Sequence, residues 1–156
     1  MLNRLQDVFR SFQNHDVRYV VIEGIAAILY GVPRATFDLD ILIEATPENS
    51  HRLLKALLDA GLGTAALTSE EDVLANAITV FNDRVRVDVL TSAPGIGFGD
   101  AWARRRIVRY QEQEFFIISK EDLIASKRAA GRDVDLEDVR LLTIQGAPET
   151  ETPQES

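Results

Sequence analysis

The chain has 156 residues, 46% of them hydrophobic and 27% charged, which is enough apolar material for one globular domain with a real core. It contains no cysteine, which excludes disulfide frameworks, zinc–thiolate sites, iron–sulfur clusters and thiol nucleophiles. A formal net charge of −8 argues against a large non-specific nucleic-acid surface, because neutralising phosphates requires a cationic face. Since no apolar run is long enough to span a bilayer and the first residues lack a signal-peptide core, we expect a cytoplasmic protein without membrane contact.

The first sixty residues predict helices and strands in alternation. Apolar side chains at helical spacing indicate an opening amphipathic helix, and β-branched and alternating runs indicate two strands. Thr46 followed by Pro47 is typical of a helix start, with a capping hydroxyl and a proline in the first turn. The predicted helices cover residues 2–14, 24–30 and 46–60, and the predicted strands cover residues 17–22 and 38–44.

The remainder predicts two hairpins and two further long helices. Residues 64–75 are ambiguous and suggest a loop with one or two helical turns. We predict strands at 77–81, 85–90, 106–110 and 114–118, a short helix carrying Trp102, and helices at 119–130 and 135–144. This is an α+β domain with a mixed sheet over residues 1–145. Residues 146–156 hold three glutamates, two prolines and no basic residue, and we expect them to form a disordered acidic tail.

Three aspartates on predicted strands are the most informative feature of the sequence. Residues two apart in a strand point to one face, so Asp38 and Asp40 share a face opposite Leu39. Their side chains begin roughly 6.6 Å apart, twice the rise per residue, and can converge on one cation. Asp88 alternates with valines in the same way, so three carboxylates meet on one face if the two strands are neighbours.

Clustered carboxylates of this kind need a cation, because otherwise they repel one another and raise one another's pKa. Hard oxygen ligands favour Mg²⁺ or Mn²⁺, and such an ion bridges phosphate oxygens and stabilises a leaving pyrophosphate. Aspartate is depleted in strands, so two of them alternating at a strand start fit a purely solvent-facing role poorly. We therefore predict metal ligation by Asp38, Asp40 and Asp88.

Four other residues are candidates for binding the phosphates of a nucleotide. Gly24 lies at a strand-to-helix turn, where a missing side chain lets the backbone approach an anion closely. Arg34 and Thr36 lie in the loop before Asp38 and can add a guanidinium and a hydroxyl. Lys127 lies on the inward phase of its helix, where an ammonium needs an anion, either the substrate phosphate or an aspartate, unless its head reaches solvent.

Residues 24–43 strongly resemble the signature of the nucleotidyltransferase superfamily related to DNA polymerase beta. That signature has a glycine pair opening a helix, a D-x-D strand about a dozen residues later and a third aspartate on another strand. The arginine–threonine spacing before Asp38, with the stretches 122–132 and 135–139, is most similar to minimal nucleotidyltransferases of the AbiEii/AbiGii toxin type.

The resemblance implies a mixed, curved sheet with helices packed on one side. It implies transfer of a nucleoside monophosphate from an NTP to an acceptor hydroxyl, with release of pyrophosphate. Asp38 and Asp40 would hold Mg²⁺ or Mn²⁺, Asp88 would complete the second metal site and help to deprotonate the acceptor, and Gly24 would contact the phosphates. The acceptor is open among a small molecule, a protein side chain and a tRNA end.

One departure from the signature keeps a second function open. Glu23 stands where the first glycine of the pair is usual, and its charge would repel a triphosphate unless the side chain turns aside or binds metal. The alternative is a degenerate member of a toxin–antitoxin pair that acts by binding a partner or a nucleotide. We also expect a homodimer or a partner protein, because small nucleotidyltransferase domains often need a second unit on the acceptor side. Asp135 and Asp138 are expected to cap their helix and interact with its dipole.

Overall fold

The computed structural model describes residues 2–36 and 38–144. Six strands and seven α-helices occur in these residues, with short 3-10 helices at Leu2–Leu5 and Gly63–Leu67. The strands are β1 (Tyr19–Ile22), β2 (Asp38–Ile43), β3 (Ile78–Asn82), β4 (Arg86–Leu90), β5 (Arg106–Tyr110) and β6 (Gln113–Ile117). The helices are α1 (Gln6–Asn14), α2 (Glu23–Leu29), α3 (Pro47–Asp59), α4 (Glu70–Ala75), α5 (Phe98–Ala103), α6 (Lys120–Ala130) and α7 (Asp133–Ile144).

The six strands form one sheet in the order β3-β4-β2-β1-β6-β5. β2 runs parallel to β4 and β1 runs parallel to β6, whereas the other three neighbouring pairs are antiparallel. The predicted α+β architecture with a mixed sheet is thereby confirmed. The strands β2 and β4, which carry the three aspartates, are direct neighbours near one end of the sheet, and only β3 lies outside them.

The core fixes which face of each strand is buried. On β2, Leu39 and Ile41 are fully buried, so the alternating Asp38 and Asp40 face the other side. At the other end of the sheet the rings of Phe9 on α1 and Phe115 on β6 stack with centroids 4.1 Å apart. A shift of one residue in the pairing register would move every side chain of a strand to the opposite face of the sheet. The apolar packing therefore also fixes the face on which the aspartates lie.

The observed elements differ from the predicted ones mainly at their ends. β1 begins at Tyr19 rather than at residue 17, and α2 begins at Glu23, one residue early, because Ile22 is still extended and the chain turns immediately after it. The last helix begins at Asp133 rather than Asp135. The ambiguous stretch 64–75 holds the second 3-10 helix and α4, which Ser69 caps.

Two predictions about the whole chain have different outcomes. The predicted acidic tail, residues 146–156, lies outside the described residues. Within the described part of the chain, every helix is too short or too polar to cross a lipid bilayer.

Candidate active site

The register between β2 and β4 brings the predicted carboxylates together. Asp40 lies opposite Asp88 in the parallel pair, and Asp38 lies opposite Arg86. All three aspartates line one open cavity of about 420 Å³. Six of the seven residues predicted for the site line this cavity: Gly24, Arg34, Thr36, Asp38, Asp40 and Asp88.

Asp40 is the most strongly perturbed group of the cluster. Its pKa is raised from 3.8 to about 7, first by partial burial, which disfavours the charged carboxylate, and then by the nearby negative charges of Asp88, Glu23 and Asp38 and a hydrogen bond with Asp88. The charged form of Asp40 is therefore disfavoured by its burial and by the neighbouring carboxylates. A bound cation is favoured under this electrostatic condition.

A guanidinium group already compensates part of that charge. Arg86 Nε and Nη2 donate to the two carboxylate oxygens of Asp88 at 2.9 and 3.2 Å, and Nε lies 3.8 Å from Asp38 Oδ2. Sequence reasoning gave Arg86 no role, although its position two residues before Asp88 placed it on the same face of β4. Across residues 2–36 and 38–144, no three Asp, Glu, His or Cys side chains are grouped closely enough to form a metal centre.

The residues nevertheless fit a hard cation by their chemistry. Asp38, Asp40 and Asp88 offer the oxygen donors that Mg²⁺ and Mn²⁺ prefer, and the charges of Asp88 and Asp38 add to burial in raising the pKa of Asp40. Both carboxylate oxygens of Asp88 accept hydrogen bonds from Arg86, so an ion held by the three carboxylates would compete with that guanidinium.

The raised pKa of Asp40 predicts that Asp40→Asn changes how stability depends on pH. Because the folded pKa lies above the ordinary value of 3.8, the contribution of this one carboxyl to stability is fully present below about pH 4 and is lost as pH rises from there to about 7. Asparagine has no charge to desolvate, so in EDTA the variant should gain on the order of 2 kcal/mol relative to wild type between pH 5 and pH 8. Urea unfolding at both pH values measures this; parallel stability curves for the two proteins would contradict the assignment.

Gly24 has a clear steric reason to be glycine. A Cβ at this position would lie 3.2 Å from Thr36 Cγ2 and 3.4 Å from Thr36 Cβ, so Thr36 fills the space where a side chain would be. The Thr36 hydroxyl in turn accepts a hydrogen bond of 3.3 Å from the Asp38 backbone N–H. These contacts connect the turn before α2 directly to the start of β2.

Arg34 and Lys127 are bound to carboxylates of this chain. Arg34 donates from both terminal nitrogens to Asp138, at 2.8 and 2.6 Å, and Lys127 Nζ lies 3.0 Å from Asp138 Oδ2. Lys127 is also 3.7 Å from Asp135 and 3.5 Å from Glu23, and it does not line the cavity. The anion predicted for Lys127 was either a substrate phosphate or an aspartate, and the structure places two aspartates beside it.

The roles expected for Asp135 and Asp138 were therefore incomplete. Both lie in α7 and are almost fully buried, and they serve as counter-ions for Lys127 in addition to any interaction with the helix dipole. The sequence signal was their helical spacing of three residues, which puts both on the face that packs against α6. The inward lysine of α6 and the two inward aspartates of α7 form one ionic cluster. Sequence reasoning treated its members separately.

Glu23 has a backbone conformation that favours glycine. Its φ of 61° lies in the left-handed region, which costs a non-glycine residue on the order of 1 kcal/mol. Glu23 forms an ion pair with Lys127 on α6, but it still lines the cavity and its charge still contributes to the raised pKa of Asp40. A triphosphate in this cavity would therefore meet a glutamate whose charge is partly compensated by Lys127.

Comparison with known proteins identifies the family and supports the fold. Residues 2–147 match the family described as "Nucleotidyltransferase of unknown function (DUF6036)". No curated protein is significantly similar in sequence. Among solved structures, the fold is similar to that of the lincosamide antibiotic adenylyltransferase LnuA, solved with lincomycin bound. The TM-score is 0.57 over 92% of this chain and 96% of that chain, at 16% sequence identity.

The two findings carry different weight. At 16% identity the similarity to LnuA establishes a shared fold and does not extend to the substrate. The closer resemblance to AbiEii/AbiGii toxins stays a prediction. The family match covers nearly the whole chain and includes all three aspartates of the site, and the fold positions them as the superfamily signature implies. The chain therefore belongs to the DUF6036 family of nucleotidyltransferases.

Proposed function

We propose that the protein is a metal-dependent enzyme that transfers a nucleoside monophosphate from an NTP to an acceptor hydroxyl. The observation that carries this proposal is the pairing of Asp40 with Asp88 across neighbouring parallel strands, with Asp38 beside them, in a cavity that also contains Gly24 and Thr36. Three oxygen ligands on one rigid sheet face are what positioning of an NTP through a divalent ion requires.

The proposed division of roles follows from position. Asp38, Asp40 and Asp88 would hold Mg²⁺ or Mn²⁺, which supplies charge stabilisation for the α-phosphate and for the leaving pyrophosphate. Asp88 lies on β4, next to β3, and of the three aspartates it is the one nearest to the β3 side of the cavity. In this proposal it accepts the proton of the acceptor hydroxyl. The hydroxyl oxygen then forms its bond to the α-phosphorus as the bond to pyrophosphate breaks. Gly24 and Thr36 line the cavity beside the start of α2, where the phosphates would lie.

An apolar wall on the β3 side favours a small-molecule acceptor. Ile78 and Leu90 line the cavity beyond Asp88, and Val80 lies opposite Asp88 in the β3–β4 pair. Ile78 and Val80 are about half exposed, so apolar surface is available next to the proposed base. Such a wall and a net charge of −8 suit a hydroxyl carried on a partly apolar molecule better than a tRNA end. LnuA, which shares the fold, is named for a small-molecule antibiotic.

Calorimetric titration with each of the four NTPs, with and without Mg²⁺, tests the proposal. We expect metal-dependent binding of at least one NTP by the wild type and loss of that binding in Asp38→Ala/Asp40→Ala. Asp100→Asn, which removes an exposed aspartate of α5, serves as the matched control and should bind as wild type does. Absence of binding to every NTP by the wild type would contradict the proposal.

Glu23 is the observation that favours the second candidate, a degenerate member that acts by binding a partner protein, as in a toxin–antitoxin pair. The same titration with Glu23→Gly distinguishes the two. If only this variant binds an NTP, the wild-type cavity is closed to triphosphates by its own glutamate, and a search for a partner protein follows. A cytoplasmic location, and either a homodimer or a partner protein, remain part of the proposal.

A further inference from the structure

We infer that Arg132 is the residue that binds the β- and γ-phosphates of the nucleotide in this chain. The inference rests on the proposed function and assigns one of its contacts to the last residue of the stretch 122–132, to which the resemblance gave no role. Arg132 lies in the turn between α6 and α7, and its side chain lines the cavity together with Glu23 and Gly24.

Three other cationic side chains near the cavity, those of Arg34, Lys127 and Arg86, form ion pairs with carboxylates. Arg34 uses both terminal nitrogens on the buried Asp138, and its side chain is only 31% exposed. Lys127 has a side-chain exposure of 4% and lies behind Glu23, in contact with three carboxylates. Arg86 is bound to Asp88 through Nε and Nη2, approaches Asp38 to 3.8 Å and, unlike Arg132, does not line the cavity. Removing Arg34 or Lys127 from its partner would leave Asp138 buried and less compensated, which is energetically costly.

Arg132 differs from these three in exposure and in how it is held. Its side chain is 68% exposed, so its guanidinium is accessible from the cavity. Nε and Nη2 donate to the carboxylate of Asp135, at 2.7 and 3.2 Å, which leaves Nη1 without a hydrogen bond to the described residues. Because the Asp135 side chain is only 2% exposed, the arginine is anchored to a rigid group and is preorganised for an anion.

The position of Arg132 also matches the charge that a triphosphate brings. The hydrogen bond to Asp135 and its charge are the main causes that raise the pKa of Arg132, and the charge of Glu23, which lines the same cavity, adds to them. The cavity therefore presents a cation beside the glutamate that replaces the usual glycine, where the signature would place phosphate oxygens. Arg132 offsets the repulsion from Glu23 at the point where a polyphosphate would otherwise be rejected.

Calorimetry on the full chain with the NTP that binds best, and with its monophosphate, tests the inference in the presence of Mg²⁺. Arg132→Gln should weaken NTP binding about tenfold or more, because a charge-assisted hydrogen bond to phosphate is lost, and change monophosphate binding less than twofold. Arg132→Lys, which retains the charge, should recover part of the affinity. Arg128→Gln removes an exposed arginine from the same end of α6 and should bind as wild type does.

The outcomes separate the inference from the proposed function. If the wild type binds an NTP and Arg132→Gln binds it within twofold, the assignment of Arg132 is overturned and the proposed function stands. An equal loss of NTP and monophosphate affinity, or a large fall in melting temperature for Arg132→Gln, would show that the residue acts only through Asp135 and overturns the assignment as well. If the wild type binds no NTP, the proposed function fails first and the inference fails with it.

Discussion

Asp138→Asn should lower the free energy of unfolding by about 3 kcal/mol, because it leaves two cations with a neutral partner inside the protein. Asp138 is fully buried and accepts from both terminal nitrogens of Arg34 while lying 3.0 Å from Lys127 Nζ. Asparagine retains one hydrogen-bond acceptor but no charge. For a domain of this size, thermal unfolding should show a melting temperature about 10 °C lower.

Asp133→Asn is the matched control for this prediction. It removes an exposed aspartate at the start of the same helix and should change stability by less than about 0.5 kcal/mol. A double-mutant cycle with Lys127→Met adds a second check. The double variant should be less destabilised than the sum of the two single variants, since neither partner is then left as an isolated buried charge. A loss below about 1 kcal/mol for Asp138→Asn, or strict additivity in the cycle, would contradict the buried ion pair.

The strand pattern predicted most of the site because strand geometry is local. Alternation alone put Asp38 and Asp40 on one face and buried Leu39 on the other, and the structure has this arrangement. That Asp88 would join them depended on β2 and β4 being neighbours, which the resemblance implied and the sheet order confirmed.

The partners of the charged side chains could not be predicted in the same way. Arg34 and Asp138 are 104 residues apart, and only the packing of α6 and α7 near the loop before β2 brings them together. The same packing turns Lys127 toward Asp138, Asp135 and Glu23. A sequence shows that an inward lysine needs an anion, but which anion it finds depends on tertiary contacts between elements far apart in the chain.

Asp88→Asn should abolish transfer while leaving nucleotide binding nearly intact. If Asp88 takes the proton of the acceptor hydroxyl, asparagine removes the base, and loss of general-base catalysis costs typically about 10²–10⁴-fold in rate. Asp38 and Asp40 remain to hold an NTP, so its Kd should change by less than about threefold. Pyrophosphate release at saturating NTP and Mg²⁺ measures the rate, with water or a hydroxyl compound as acceptor, and calorimetry measures the binding.

Comparison with Asp40→Asn makes the prediction specific to the position of Asp88. Asp40 lies at the centre of the cluster, where the charges of Asp88, Glu23 and Asp38 all act on it, so its replacement should weaken NTP binding and transfer together. Asp88 is also the partner of Arg86, and Asp88→Asn should release that guanidinium toward Asp38, which it already approaches to 3.8 Å. If Asp88→Asn and Asp40→Asn lose binding equally, Asp88 acts only in holding the ion. If Asp88→Asn releases pyrophosphate at the wild-type rate, the base lies elsewhere in the cavity.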